Sequence, residues 1–228
     1  MRECGLADLV VYLQTKKHFE KASQANPVGL IKQTLKSSLR MYPDGLRQDS
    51  SNPNPINPWN FCIQMVALNY QYDDSMMSLS YGKFSDNGGC GYVLKPKYLI
   101  DIDKTLFNPL NYIVKPSTLS EHIEEYPQRL TITVISAQFL PRVNETTNDI
   151  PDPYVIVSTH GIACDQQSYR TKTIYDNGFN PEWNEIFTFD VYFPQMCLVR
   201  FDIYDYDRFT RDDLLASFCL PMTTMQTG

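Results

Sequence analysis

The sequence predicts two folds in series: an α/β segment of parallel strands and helices, about half of an eight-stranded barrel of the TIM type, and then an all-β sandwich. Three observations carry this. Up to residue 96, apolar runs of strand length alternate with helical patterns, the order that gives a parallel sheet or a barrel. Residues 97–127 are broken by Pro109, Pro116 and Pro127, with Asn and Ser between them. From residue 128 onward, short alternating strands follow one another with turn signals between, the pattern of a sandwich.

"LADLVVYL" (6–13) is a continuous apolar run of strand length. "NPVGLIKQTLKSS" (26–38) predicts a helix, with Asn26 as N-cap and Pro27 at the first helical position, where its missing N–H costs nothing. Val28, Ile31 and Leu35 share one face of it. "LRMY" predicts a strand that ends at a Pro-Asp-Gly turn. A short helix is expected near Trp59, a buried strand over "CIQMVALNY" (62–70), a helix over "MMSLSYGKF" (76–84) and a last strand over "GYVLKP" (91–96). Domain bounds of 1–98 and 128–228 follow, with 99–127 a linker that packs on its neighbours. In the second domain the strands are "RLTITVISAQFL" (129–140), "DPYVIVSTHG" (152–161), "YRTKTIYD" (169–176), "EIFTFDVYF" (185–193) and "LVRFDIYDYD" (198–207). The sequence stops soon after "ASFCLPM" (216–222), early for a closed sandwich, so the sandwich is expected to be incomplete at its C-terminus.

Of the 228 residues, 43% are hydrophobic and 20% charged, which supplies core material and excludes disorder throughout. A net charge of −6 argues against a general nucleic-acid binder, and an anionic membrane repels such a chain on average. Any membrane affinity must be local or conditional. The six cysteines form no C-x-x-C pair, which predicts reduced, mostly buried thiols and a cytosolic setting. No apolar run approaches the ~20 residues of a membrane span. The opening "MRECGLADLVVYL" lacks a small-residue cleavage site, which argues against a signal peptide.

Two groups of residues carry chemistry. Alternation in "SLRMY" puts Arg40 and Tyr42 on one face, roughly 7 Å apart along the strand. A fork-shaped cation beside a flat ring suits an anionic sugar, guanidinium on phosphate and ring on the sugar's apolar side; it equally suits a surface ion pair beside a packing tyrosine. In the sandwich, Asp152, Asp176, Asp205, Asp207 and Asp213 stand at strand ends and loops. Carboxylates ~4 Å apart repel by about 1 kcal/mol in water and about 4 kcal/mol at an effective dielectric of 20. A hard dication removes that cost, and calcium takes six to eight such oxygens. Bound calcium would reverse the local sign of an acidic protein and bridge to lipid phosphates, with Arg170 and Lys172 adding a small basic strip.

Three blocks, "YPDGLRQDSSNPNPINPWN", "CIQMVALNYQ" and "DNGGCGYVLKP", resemble the Y box, the second half of the catalytic barrel of eukaryotic phosphoinositide-specific phospholipase C. "DPYVIVSTHG", "DNGFNPEWNEIFTF" and "LVRFDIYDYD" resemble the C2 domain that follows it there, and the look is closest to the delta and zeta types. The resemblance implies that Arg40 holds a ring phosphate of an inositol lipid, that Tyr42 packs on the inositol ring, and that Leu46 lies on an apolar ridge dipping into the bilayer. It implies calcium at Asp152, Asp176, Asp205, Asp207 and Asp213, joined by the Ile150 carbonyl. The family's pocket serine falls in "KKHFEKASQANP", a stretch that looks shortened, and Ser23 is one candidate.

The resemblance makes the parent protein a phosphoric diester hydrolase that cleaves phosphatidylinositol 4,5-bisphosphate to inositol trisphosphate and diacylglycerol in intracellular signalling. It places the two catalytic histidines and the catalytic calcium in the X box, the other barrel half, which these residues do not contain. His18, His122 and His160 match none of those motifs and read as structural or surface groups. The expected partners are a phosphoinositide, an anionic membrane surface and an X-box half in the same parent chain or in trans. The expected location is the cytoplasm, with peripheral membrane attachment when calcium rises. The alternative is a non-catalytic, calcium-dependent phospholipid-binding module.

Overall fold

The computed structural model describes residues 11–43, 50–105, 107–110, 127–142 and 150–226. The chain divides into two compact units, Met1–Met77 with Leu94–Glu125, and Ser78–Val93 with Tyr126–Gly228.

The first unit is built on a parallel sheet of β1 (Val11–Thr15), β2 (Ser38–Tyr42) and β3 (Met65–Val66), in that spatial order. Two helices cross from β1 to β2, α1 (Lys16–Ala25) and α2 (Pro27–Lys36). Asn26 serves both: its backbone N–H closes α1 on Ala22, and its side chain accepts from the Gly29 N–H at 2.8 Å to open α2. That cap, with Pro27 behind it, is the one the sequence predicts. α1 is not predicted, because "KKHFEKASQA" shows no apolar stripe. It is held instead by the Thr15 cap on the His18 N–H and by Phe19, buried edge-on against Phe61 at 5.5 Å. On α2 the covered residues are Leu30, Ile31 and Thr34, while Leu35, expected on the buried face, is exposed.

The C-terminal end of α2 is closed by side chains from far along the sequence. Gln64 Nε2 donates to the Thr34 carbonyl at 2.7 Å and to that of Ser37 at 3.2 Å, while its Oε1 accepts from the Leu39 N–H at 2.9 Å. Lys95 Nζ donates to the Thr34 carbonyl at 2.9 Å, a cation where the helix leaves unpaired carbonyls. Burial lowers the Lys95 pKa.

α3 (Ile56–Asn60) forms where Trp59 predicts it, and α4 (Ser75–Phe84) over the predicted helical run. Two expected strands are corrected. "CIQMVALNY" pairs only over Met65–Val66: the side chain of Gln64, rather than a strand carbonyl, takes the Leu39 N–H of β2. "GYVLKP" is irregular: it leaves a glycine turn with positive φ at Gly88, Gly89 and Gly91, and its Lys95 caps α2. Three parallel strands are therefore present among the described residues, not four. Beyond them α5 (Lys97–Ile100) and α6 (Ile102–Thr105) bury Tyr98, Leu99 and Ile102. The rest of the expected linker, 111–126, lies outside the described residues.

The second unit contains β4 (Gln128–Ser136), β5 (Pro153–His160), β6 (Ser168–Arg170), β7 (Glu182–Val191), β8 (Leu198–Asp205) and β9 (Asp213–Pro221). β4 pairs antiparallel with β7, and the other four make an antiparallel sheet in the order β6-β5-β8-β9. Alternation aims Ile132, Val155, Val157, Phe189, Val191 and Val199 into one core with Trp183. "YRTKTIYD" pairs only as far as Arg170, because Thr171 then bonds Val155 through its own backbone and hydroxyl.

Asp165 is buried here and His160 half-buried, and both have shifted pKa values. Asp165, fully covered, accepts from the Tyr192 and Phe193 N–H groups at 2.8 Å each, and burial raises its pKa. The ring of His160 bonds Ser158 Oγ at 2.8 Å, and burial, then the Arg200 charge, lower its pKa to about 4. Between about pH 6.5 and 4 the unfolded chain binds the His160 proton and the folded chain does not. That part of the stability is complete above about 6.5 and lost on acidification, by up to about 3 kcal/mol. Asp165 acts with the opposite sign, gaining stability as the pH falls. His160→Gln is expected to flatten the acid limb, read as the wild-type-minus-variant difference in urea stability at pH 7 and pH 4.5. A difference that does not change with pH removes His160 as its source.

Candidate functional site

In the first unit the site grows from strand alternation. Leu39 and Met41 are buried at 0% and 1% exposure, so Arg40 and Tyr42 take the open face of β2. The Arg40 guanidinium carbon lies 4.8 Å from the centre of the Tyr42 ring, a cation–π contact. The pair stands at the C-terminal end of a parallel strand. Leu46 lies outside the described residues. Ser23, the candidate pocket serine, is buried in α1 and donates to the Glu20 carbonyl at 2.9 Å.

In the second unit the acids gather at one end of the four-stranded sheet. Asp152 precedes β5, Asp205 ends β8 and Asp213 starts β9, directly opposite Asp205 in register. The carboxylates are laced to backbone. Asp205 Oδ1 accepts from the Asp152 N–H at 2.7 Å, and Asp152 Oδ1 accepts from the Asp176 N–H at 2.6 Å. Asp176 adopts a left-handed φ of 52°, which Asp tolerates better than most residues. Asp207 follows β8 in the same loop, and Ile150 is exposed.

The donors are hard carboxylate oxygens, the type calcium takes, and each carboxylate bonded to one N–H keeps lone pairs over. As they stand, no three acidic, histidine or cysteine groups converge to hold a metal ion among the described residues. The basic strip is partly spent on structure, since the Arg170 guanidinium lies 3.8 Å from the Tyr154 ring centre; at Lys172 it is the backbone N–H that donates, to the Glu185 carboxylate.

Comparison with known proteins decides the family. Residues 6–98 match the family described as phosphatidylinositol-specific phospholipase C, Y domain, and residues 128–228 match the C2 domain. The chain is a phospholipase C Y domain followed by a C2 domain. It is 40% identical to the 1-phosphatidylinositol 4,5-bisphosphate phosphodiesterase delta-3-A of Danio rerio, over 98% of this chain and 30% of that protein. It is 41% identical to the delta-1 protein of Rattus norvegicus, over 88% of this chain and 25% of that one. With the zeta-1 protein of Homo sapiens the figures are 36%, 98% and 38%. The chain thus spans between 25% and 38% of the length of these relatives. Among solved structures, PLC21 of S. officinalis superposes with a TM-score of 0.78 at 28% identity, covering 93% of this chain and 26% of that one. PLC21 of L. pealei gives 0.76 at 29%, again over 93% and 26%.

Within the Y domain, sequence reasoning missed a polar knot centred on Asn52. Asn52, buried, donates through Nδ2 to the Tyr72 carbonyl at 2.9 Å and to Asp74 Oδ1 at 3.1 Å. Its N–H donates to Asp74 Oδ2 at 2.9 Å, and its Oδ1 accepts from the Asn69 N–H. Asp74 in turn accepts from the Met76 and Met77 N–H groups at the start of α4. The sequence signal was an Asn amid prolines, which reads as a turn residue. In the C2 domain two residues were missed, Tyr154 and Asp212, bonded at 2.7 Å. Burial, ahead of that bond, raises the tyrosine pKa to about 12.

The histidines in the described residues are engaged locally, His18 with Thr15 and His160 with Ser158. His122 lies outside the described residues. Cys62, Cys197 and Cys219 are buried thiols, while Cys90 and Cys164 are exposed thiols. No helix of the described residues is long and apolar enough to cross a membrane.

Asn52→Ala leaves Asp74 and the Asn69 N–H short of buried partners, at a cost of about 1–3 kcal/mol. Urea denaturation of the full chain measures it. A loss under 0.5 kcal/mol, on the order of an ordinary surface substitution, dismisses the knot as an anchor.

Proposed function

We propose that this chain supplies the headgroup-binding half of a (β/α)8 barrel and the membrane-docking module of an enzyme that hydrolyses phosphatidylinositol 4,5-bisphosphate to inositol trisphosphate and diacylglycerol. The observation that carries this is the Arg40–Tyr42 pair, Arg40 exposed and Tyr42 half-buried, at the C-terminal end of a parallel strand inside a Y-domain match. Arg40 holds a ring phosphate, bidentately where geometry allows, and Tyr42 lies on the apolar side of the cyclitol. Leu46, outside the described residues, is proposed as an apolar contact with the bilayer.

Asp152, Asp176, Asp205, Asp207 and Asp213, with the Ile150 carbonyl, would hold calcium at the end of the C2 sheet, where the ion would supply positive charge toward lipid phosphate. Asp152 and Asp205 each accept a backbone N–H there and keep lone pairs over. The protein works in the cytoplasm and attaches to the membrane surface when calcium rises. Proton transfer to and from the inositol 2-hydroxyl falls to the X half of the barrel, since His18 and His160 are committed to local structure.

The full chain, combined with an X-box half from a delta-type relative, is expected to hydrolyse the lipid in calcium-containing vesicles; alone it is expected to show no lipase activity. Arg40→Ala should lower the activity of the pair by about 10–100-fold, the value of a charge-assisted contact of 1.5–3 kcal/mol. Asp205→Asn with Asp207→Asn should abolish calcium-dependent vesicle co-sedimentation. Unchanged activity in Arg40→Ala removes that residue from the pocket. Vesicle binding by the chain without hydrolysis by the pair favours the non-catalytic lipid-binding module.

A further inference from the structure

The loop between β8 and β9 carries three of the proposed calcium donors, Asp205, Asp207 and Asp213, and a fourth acid that faces the other way. Asp212 Oδ2 accepts from the Tyr154 hydroxyl at 2.7 Å, and its Oδ1 accepts from the Asp207 N–H at 3.0 Å. One carboxylate thus ties the entry of the loop to its exit and both to β5. Tyr154 is well placed to anchor this. It is 5% exposed, it stacks on its cross-strand partner Tyr204 at 5.6 Å and 20°, and the Arg170 guanidinium covers its ring at 3.8 Å. A tyrosine fixed by two ring contacts offers its hydroxyl in one place.

We infer that Tyr154 and Asp212 are positioning residues: the Tyr154–Asp212–Asp207 clamp holds the 206–212 loop in the shape that spaces Asp205, Asp207 and Asp213, and Asp212 is not itself a metal donor. That the spacing serves calcium rests on the reading above; the clamp itself is a property of the metal-free chain. Its geometry explains why acids so close in sequence do not all face the rim. Asp212, the last loop residue before β9, is half-buried, whereas its neighbour Asp213, the first residue of the strand, is exposed. The inward one meets a phenol and a backbone N–H, so its charge is balanced by hydrogen bonds rather than by an ion.

The test uses the full chain with Tyr154→Phe, Asp212→Asn and the double variant. In calcium-free buffer the Asp207 amide is expected to exchange with deuterium at least tenfold faster in Tyr154→Phe and in Asp212→Asn than in the wild type. In calcium titrations Tyr154→Phe, which removes no charge and keeps both ring contacts, is expected to bind five- to tenfold more weakly. The double variant should match Asp212→Asn alone, since both act through one bond. Wild-type exchange at Asp207 in Tyr154→Phe overturns the clamp, and so does wild-type calcium affinity in that variant. Faster Asp207 exchange in a chain whose wild type binds no calcium supports the clamp and overturns the calcium reading instead. Circular dichroism confirms that each variant remains folded before either readout is taken.

Discussion

A strand that buries Leu39 and Met41 leaves Arg40 and Tyr42 only the opposite face. This period-two alternation is the constraint on which both sites rest. In β2 it converts the cost of exposing two apolar side chains into the placement of a guanidinium and a phenol. At about 25 cal/mol per Å² of apolar surface, burying two such residues is worth several kcal/mol, far more than the cation–π contact between Arg40 and Tyr42 returns. A slip of one residue would turn both to the wrong side. The Gln64 amide resists that slip, since it bonds the Leu39 N–H and two carbonyls at the end of α2 at once.

The acidic rim of the C2 domain poses the reverse problem. Here alternation brings together groups that repel. Backbone hydrogen bonds lower that cost: the N–H groups of Asp152, Asp176 and Asp207 each point at a neighbouring carboxylate. Hydrogen bonds to an ionised acceptor are roughly twice as strong as neutral ones, so the loops gain order from the charges that threaten them. The arrangement keeps oxygens near one another yet short of a closed cage, which leaves room for a ligand to complete the balance.

Much of this was legible in the sequence, and the failures share a cause. Helix α2 was readable because Asn26 and Pro27 act within four residues, and the face of β2 because alternation is local. The strands of the second domain were readable for the same reason. The errors fall where distant contacts decide. α1 lacks an apolar stripe and depends on Phe19 meeting Phe61; in "CIQMVALNY" the Gln64 side chain takes the Leu39 N–H and bonds the end of α2; "GYVLKP" gives Lys95 to the same end. The aspartates could be picked out as candidate donors by residue type, but which one turns inward could not. That depends on Tyr154, more than fifty residues upstream of Asp212.

A net charge of −6 suggests that this chain should avoid anionic membranes, yet the total is the wrong quantity. At physiological ionic strength, electrostatic influence decays over about 8 Å, so a surface meets only the charges beside it. The acids at the sheet end dominate the field there, and on the proposed reading a bound cation would change the sign that a bilayer meets while the rest of the molecule stays acidic. The two domains are parts of one chain, so docking either raises the effective concentration of the other at the same surface. On the proposed reading, a weak headgroup contact by Arg40 and Tyr42 would then suffice, because tethering rather than intrinsic affinity would keep the pair near its lipid.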